Sequence, residues 1–282
     1  MSSIERAMNP ATGRSATDEG SAGAEAGSHG QTQARREPAE GTENRTVELD
    51  FAELRQRGLL TPDAGDTRME EEYRLAKRPL LKQAFPRGFT PAPKANMVLV
   101  TSASSGEGKT FTAFNLAMSI AMEMDHTVLL VDGDVTRNNL TRWLGMVGVP
   151  GLTDVLDDPG LDLGRVIART NLPKLRVIPS GKPHPRATEL MASGTMDRIA
   201  EELSTRYPDR MVVFDSPPLL MASQTPVLAN LVGQAVLVVE AGKTPQQYVQ
   251  DALNLIDQSA TKVGFLLNKT PRSQRSGYFG SY

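Results

Sequence analysis

The sequence has 282 residues, 31 Lys and Arg against 33 Asp and Glu for a net charge of -2, 5% aromatic residues and no cysteine. That length allows one large or two small domains, at roughly 100 to 200 residues each. The absence of cysteine excludes a disulfide framework, a thiolate metal site and a cysteine nucleophile. No apolar run reaches the roughly 18 residues of a membrane span, and near-neutral charge argues against general nucleic-acid binding.

In chain order, the start MSSIERAMNP lacks the apolar core of a secretory signal. The first 50 residues hold nine acidic and five basic side chains, and between Ser2 and Thr46 only Ile4 and Met8 are strongly apolar. Such a stretch cannot bury enough surface to offset its ordering entropy, so residues 1–46 are expected to form a disordered leader. From Val47 to about Leu60, the spacing of Leu49, Ala52, Leu54 and Leu59 predicts a short helix that stops at Gly58. A second helix is predicted over 70–81, with Glu71, Arg74 and Lys77 or Arg78 recurring along one face. By residue type alone that face is solvated and laced with local ion pairs, each contributing about 0.2 to 0.5 kcal/mol. The Pro-rich QAFPRGFTPAPKAN then reads as a connector, completing a helical segment over 47–94.

From Met97 the pattern changes. Short apolar runs fall at 97–102, 127–132, 175–180, 211–216, 235–241 and 263–269, with helical patterns between most of them. Continuous apolar strands alternating with helices predict an α/β domain over 95–268, a mostly parallel sheet covered by helices on both faces.

The first of these strands runs into ASSGEGKT, Ala103 to Thr110, and then a helical stretch. This is the P-loop pattern with Ala103 in place of its first glycine. A small-residue loop between strand and helix turns backbone N–H groups and the helix dipole onto phosphate oxygens. Gly106 and Gly108 permit close approach, Lys109 reaches the β- and γ-phosphates, and Thr110 offers a hydroxyl to Mg2+. Ser105, Glu107 and Phe111 complete the expected nucleotide contacts. Two further strand ends carry carboxylates: Asp132 and Asp134 in LLVDGD, and Asp215 in VVFDSPP. One such Asp is usually a helix cap. Three of them opening onto one sheet edge with a phosphate loop point to metal and phosphoryl chemistry.

VTSASSGEGKT, LLVDGDVTR and VVFDSPP together resemble the Walker A, Walker A' and Walker B motifs of the bacterial tyrosine kinases, P-loop NTPase-type proteins that autophosphorylate tyrosines in a C-terminal tail. EEYRLAKRPLL, GLTDVL and IPSGKPHPRATELMAS resemble most the stand-alone exopolysaccharide autokinases of exosortase systems. The resemblance implies an ATP- and Mg2+-dependent kinase in which Thr110, Asp132 and Asp215 hold the metal, Asp132 accepts the tyrosine proton, and Asn268 reads adenine. It also implies subunit contacts through Glu71, Arg74, Lys77 and Arg78, and a ring-like homo-oligomer. The implied partners are a membrane polysaccharide co-polymerase as activator and a tyrosine phosphatase, with no nucleic acid and a location at the inner face of the plasma membrane.

The sequence departs from the pattern in three places. Ser104 stands where partition and positioning ATPases, the alternative function, carry a second lysine; Arg137 lies one residue beyond the usual Walker A' arginine position, which is Thr136; and only Tyr278 and Tyr282 remain of the tail cluster. The tail, residues 269–282, carries Lys269, Arg272 and Arg275 with no acid. As a flexible chain it would span about 20 Å, enough to offer its tyrosines to an adjacent subunit.

Overall fold

The computed structural model describes residues 46–63, 67–207 and 209–271. The leader ahead of Thr46, the tail arginines Arg272 and Arg275 and the acceptors Tyr278 and Tyr282 lie outside the described residues.

The elements are β1 (Thr46–Val47), α1 (Phe51–Gln56), α2 (Arg68–Ala84), β2 (Met97–Ser102), α3 (Lys109–Ala121), β3 (Thr127–Asp132), α4 (Asn139–Trp143) and α5 (Leu152–Asp157). After a 3-10 turn at Leu163–Arg165 come β4 (Ala168–Thr170), β5 (Leu175–Ile178), α6 (Ala187–Met191), α7 (Gly194–Thr205), β6 (Arg210–Asp215), α8 (Gln224–Ala229), β7 (Gln234–Glu240), α9 (Gln246–Leu253) and β8 (Lys262–Asn268). The sheet runs β1-β4-β5-β3-β6-β2-β7-β8. Every pairing is parallel except β4 with β5, so the six apolar runs of the sequence become one mostly parallel sheet.

Alternate residues of the central strands feed two cores. Val98, Val100, Val128, Leu130, Met211 and Val213 pack with α2 and α3, while Leu99, Leu129, Val131, Val212 and Phe214 pack on the other face with α5 through α8. This two-sided burial is why those strands are continuously apolar rather than alternating. β8 is the exception. It is the terminal strand, and although Val263 and Leu266 pack inward, Phe265 and Leu267 remain 59% and 61% exposed.

The amino-terminal segment differs from its expected form. Thr46 and Val47 pair with Arg169 and Thr170 of β4, and the helix begins only at Phe51, because the Asp50 side chain accepts from Glu53 N at 2.9 Å and caps it there. The helical segment expected over 47–94 does not stand apart from the nucleotide domain: Leu49, Leu54, Leu60, Tyr73, Leu80 and Ala84 share a core with Phe114 and Leu116 of α3.

α2 resolves the charged face. Arg74 pairs with Glu70 at 2.9 Å and with Glu71, the local ion pairs that the spacing predicts, and Arg78 is exposed. Lys77 leaves this set. It falls on the buried stripe with Tyr73, Leu80 and Ala84, and its ammonium donates to Ser119 O at 2.6 Å and pairs with Glu123 at 2.7 Å. A cation is thereby placed against the last turn of α3, where unsatisfied carbonyls and the helix dipole favour it. The same contact holds Glu123 below the usual carboxylate range. Lys77→Met keeps the aliphatic stem but leaves Ser119 O without its donor. Urea unfolding should show a loss of about 2 kcal/mol.

Candidate functional site

Because β2, β3, β6, β7 and β8 are mutually parallel, their carboxyl ends open on one edge, where open α/β sheets bind ligands. That edge gathers the phosphate loop after Ser102, Asp132 at the end of β3, Asp215 at the end of β6, Glu240 at the end of β7 and Asn268 at the end of β8. Asp132 and Asp215 are register partners on adjacent strands.

The loop is built as its composition demands. Gly108 precedes α3 at φ 101, a conformation in which an L side chain is strained, and a Cβ there would meet Asn268 Nδ2 at 2.1 Å. Lys109 opens the helix with its side chain buried. Burial pulls its pKa down, and the carboxylates of Asp215 and Asp134 oppose that shift. The site's catalytic candidates, Lys109, Asp132, Asp134 and Asp215, are therefore one electrostatic cluster.

The three acids have different surroundings. Asp132 Oδ2 accepts from Thr141 N at 2.8 Å and Thr141 Oγ1 at 2.6 Å, while its Oδ1 is buried without a partner. Burial pushes its carboxyl up to about 6, against the pull of the Thr141 bonds. Asp134 Oδ1 accepts from Thr136 Oγ1 at 3.0 Å and Arg137 N at 3.2 Å. Both oxygens of Asp215 are buried and unpartnered. Burial drives its pKa well above the ordinary range, Asp132 adds to the rise, and the Thr110 hydroxyl and Lys109 oppose it.

Unpartnered buried carboxylate oxygens beside a threonine hydroxyl form a hard-oxygen donor set suited to Mg2+. No group of three His, Cys, Asp or Glu side chains among the described residues forms a self-contained metal cage. None is required for an ion that takes phosphate oxygens and water as its remaining ligands.

Several expected contacts have other roles in the chain. Glu107 is buried, its side chain accepting from Ser104 N at 2.7 Å and from Thr244 Oγ1, so it braces the loop. Asn268 donates from Nδ2 to Glu107 O at 2.9 Å. It and Phe111 line a cavity of about 600 Å³ beside the loop, together with Tyr73 and Leu266. Arg137, shifted from its usual motif position, still reaches the loop, donating from Nη1 to Ser105 Oγ at 2.5 Å. Thr244 and Lys269, which carry no motif, were invisible in the sequence as site residues. Lys269 Nζ donates to Gly106 O at 2.6 Å and pairs with Glu240 at 3.1 Å.

Comparison with known proteins agrees with this geometry. Residues 98–275 match the CobQ/CobB/MinD/ParA nucleotide binding domain. Tyrosine-protein kinase CpsD of Streptococcus agalactiae is 33% identical over 193 residues, 67% of this chain and 82% of that protein. Tyrosine-protein kinase YwqD of Bacillus subtilis is 33% identical over 187 residues, 65% of this chain and 77% of that protein. Among solved structures, the VpsO kinase domain superposes with a TM-score of 0.59 at 25% identity, covering 72% of this chain and 96% of its own. With a nucleotide-binding domain matched over most of its length and kinases as its relatives, the chain belongs to the bacterial tyrosine-protein kinases.

Proposed function

We propose that the chain is an ATP- and Mg2+-dependent protein-tyrosine autokinase that phosphorylates Tyr278 and Tyr282 of a neighbouring copy and so regulates exopolysaccharide synthesis or export. The observation that carries this reading is the buried cluster at the phosphate loop, in which Lys109 lies beside Asp215 and Asp134, and Asp215 and Asp132 hold buried oxygens with no protein partner. Such a cluster is costly in the empty chain and useful once Mg2+ brings compensating charge to the carboxylates and phosphates engage Lys109.

In the reaction a tyrosine oxygen forms a bond to the γ-phosphorus, the bond from that phosphorus to the β,γ-bridging oxygen breaks, and ADP leaves. Lys109 and the loop N–H groups hold the phosphates in line, and Arg137, donating to Ser105 of the loop, adds charge beside them. Asp132 is expected both as proton acceptor and as metal ligand, but only one of its oxygens is unpartnered. We assign that oxygen to the phenol proton, since an acid near 6 is well matched to the task at neutral pH. Thr110 and Asp215 would hold Mg2+, which neutralises charge on the phosphate oxygens. The adenine would occupy the cavity walled by Phe111 and Asn268.

For contacts in a ring-like homo-oligomer α2 offers exposed Arg78 and the half-buried Glu71–Arg74 ion pair, whereas Lys77 is buried within its own chain. No helix among the described residues is long and apolar enough to cross a membrane. The family reading adds recruitment to the inner face of the plasma membrane by a polysaccharide co-polymerase, with a tyrosine phosphatase resetting the tail.

Incubation with radiolabelled ATP and Mg2+, followed by mass spectrometry of tryptic peptides, tests the reading. Label should appear on Tyr278 or Tyr282 and fall by about a thousandfold in Lys109→Met. Phosphate release with no labelled protein would instead identify a positioning-type ATPase.

A further inference from the structure

The phosphate loop is tied from outside by the end of β8. Asn268 Nδ2 donates to Glu107 O at 2.9 Å, and Lys269 Nζ donates to Gly106 O at 2.6 Å. A peptide unit is planar, and its C=O and N–H point in opposite directions. Drawing the Gly106 and Glu107 carbonyls toward β8 therefore turns the N–H groups of Glu107 and Gly108 away from β8, to the side where a phosphate would sit. Those two N–H groups donate to nothing among the described residues, as a prepared anion nest requires.

The tie is itself held in place. Lys269 has φ 56, a conformation uncommon outside glycine. It is fixed there by its own N–H, which donates to Asn268 Oδ1 at 2.9 Å, and by the pairing of its ammonium with Glu240. Glu240 is the register partner of Asn268 on β7. A local backbone outlier over-determined by several contacts marks a position under functional constraint.

We infer that Asn268 and Lys269 are positioning residues that pre-orient the phosphate-binding N–H groups of Glu107 and Gly108, so that the end of β8 sets affinity for the triphosphate rather than only for the base. This rests on the nucleotide-binding reading of the loop and adds a role for the strand end. Lys269 is also the first residue of the tyrosine-bearing segment, so the tail is rooted on the loop that binds its phosphoryl donor.

The test is calorimetric titration of the full chain with ATP, GTP and inorganic triphosphate, each with Mg2+, on the wild type, Asn268→Ala and Lys269→Met. Both variants should bind all three ligands about tenfold more weakly, the change expected when one orienting hydrogen bond is lost. In nitrogen-15 spectra, the Glu107 and Gly108 amide shifts that inorganic triphosphate induces in the wild type should collapse in the variants. Unchanged affinity for inorganic triphosphate, with ATP binding alone weakened in Asn268→Ala, overturns the inference and leaves Asn268 as a reader of adenine. Unchanged binding in Lys269→Met overturns the role of that lysine. A wild-type chain that binds none of the three ligands overturns the nucleotide reading as well.

Discussion

Asp215→Asn should lower autophosphorylation by about a hundredfold to a thousandfold and, in the nucleotide-free chain, raise stability by about 1 to 3 kcal/mol. The two effects have one cause. Asp215 is 1% exposed, neither of its oxygens has a hydrogen-bond partner, and its register partner across the strand is another acid, Asp132. The empty chain thus carries a desolvated carboxyl held against a like charge, and the isosteric amide removes that repulsion while keeping the volume. The same change removes the charge that would hold Mg2+ at the phosphates. Urea unfolding at pH 7 in the presence of a chelator, alongside the labelling assay, measures both. A variant that loses activity and stability together would show that Asp215 is a structural group satisfied in the folded chain, and would sink the assignment.

Part of the candidate site was legible in the sequence. Lys109, Thr110, Asp132, Asp134 and Asp215 could be read because each sits at a fixed offset from an apolar strand, and the parallel sheet delivers every such strand end to one edge. Local spacing carries that information. The braces of the loop could not be read the same way. Glu107 meets Thr244 across 137 positions, Lys269 meets Gly106 across 163, and Arg137 meets Ser105 across 32. No periodicity encodes a pairing between two loops whose proximity depends on the order β3-β6-β2-β7-β8.

Lys77 shows the opposite failure, in which local information was present but ambiguous. Steps of three residues connect Glu71, Arg74 and Lys77, yet Tyr73, Lys77, Leu80 and Ala84 follow steps of four and three, which suit a helix face equally well, and form the buried stripe. A lysine is assigned to the wet face by default because its ammonium is costly to bury unpaired. Here the end of α3 supplies the carbonyl of Ser119 and the carboxylate of Glu123, partners that α2 alone does not reveal. β1 and β4 were missed for another reason. Two and three residues long, they are too short to show a period, and β4 runs against its neighbour, outside the strand-helix alternation that identified the rest.

Without nucleotide or divalent metal, the folded chain should lose stability as pH rises from about 4 to about 7. Burial lifts the Asp132 carboxyl from 3.8 to about 6, more than its two bonds from Thr141 restrain it. Between those values the folded chain keeps a proton that the unfolded chain has released, so stability falls with rising pH, by about 1.4 kcal/mol per unit and about 3 kcal/mol across the window for this group alone. Asp215 is shifted in the same direction by its own burial and by Asp132, and two such neighbours release their protons as a pair. Asp215 therefore adds its own share to the fall, starting from the same unfolded carboxylate range. Asp132→Asn should make the profile shallower between pH 4 and 6, both by removing its own proton and by easing the Asp215 shift, leaving the slope that Asp215 burial produces. Saturating Mg-ATP should reverse the slope, because a ligand that binds only the ionised carboxylates stabilises the fold more as pH rises. Thermal melts from pH 4.5 to 8, with chelator and with Mg-ATP, resolve these outcomes. A flat chelator profile for the wild type would mean that water reaches the two acids and that their desolvation is not what the cluster stores.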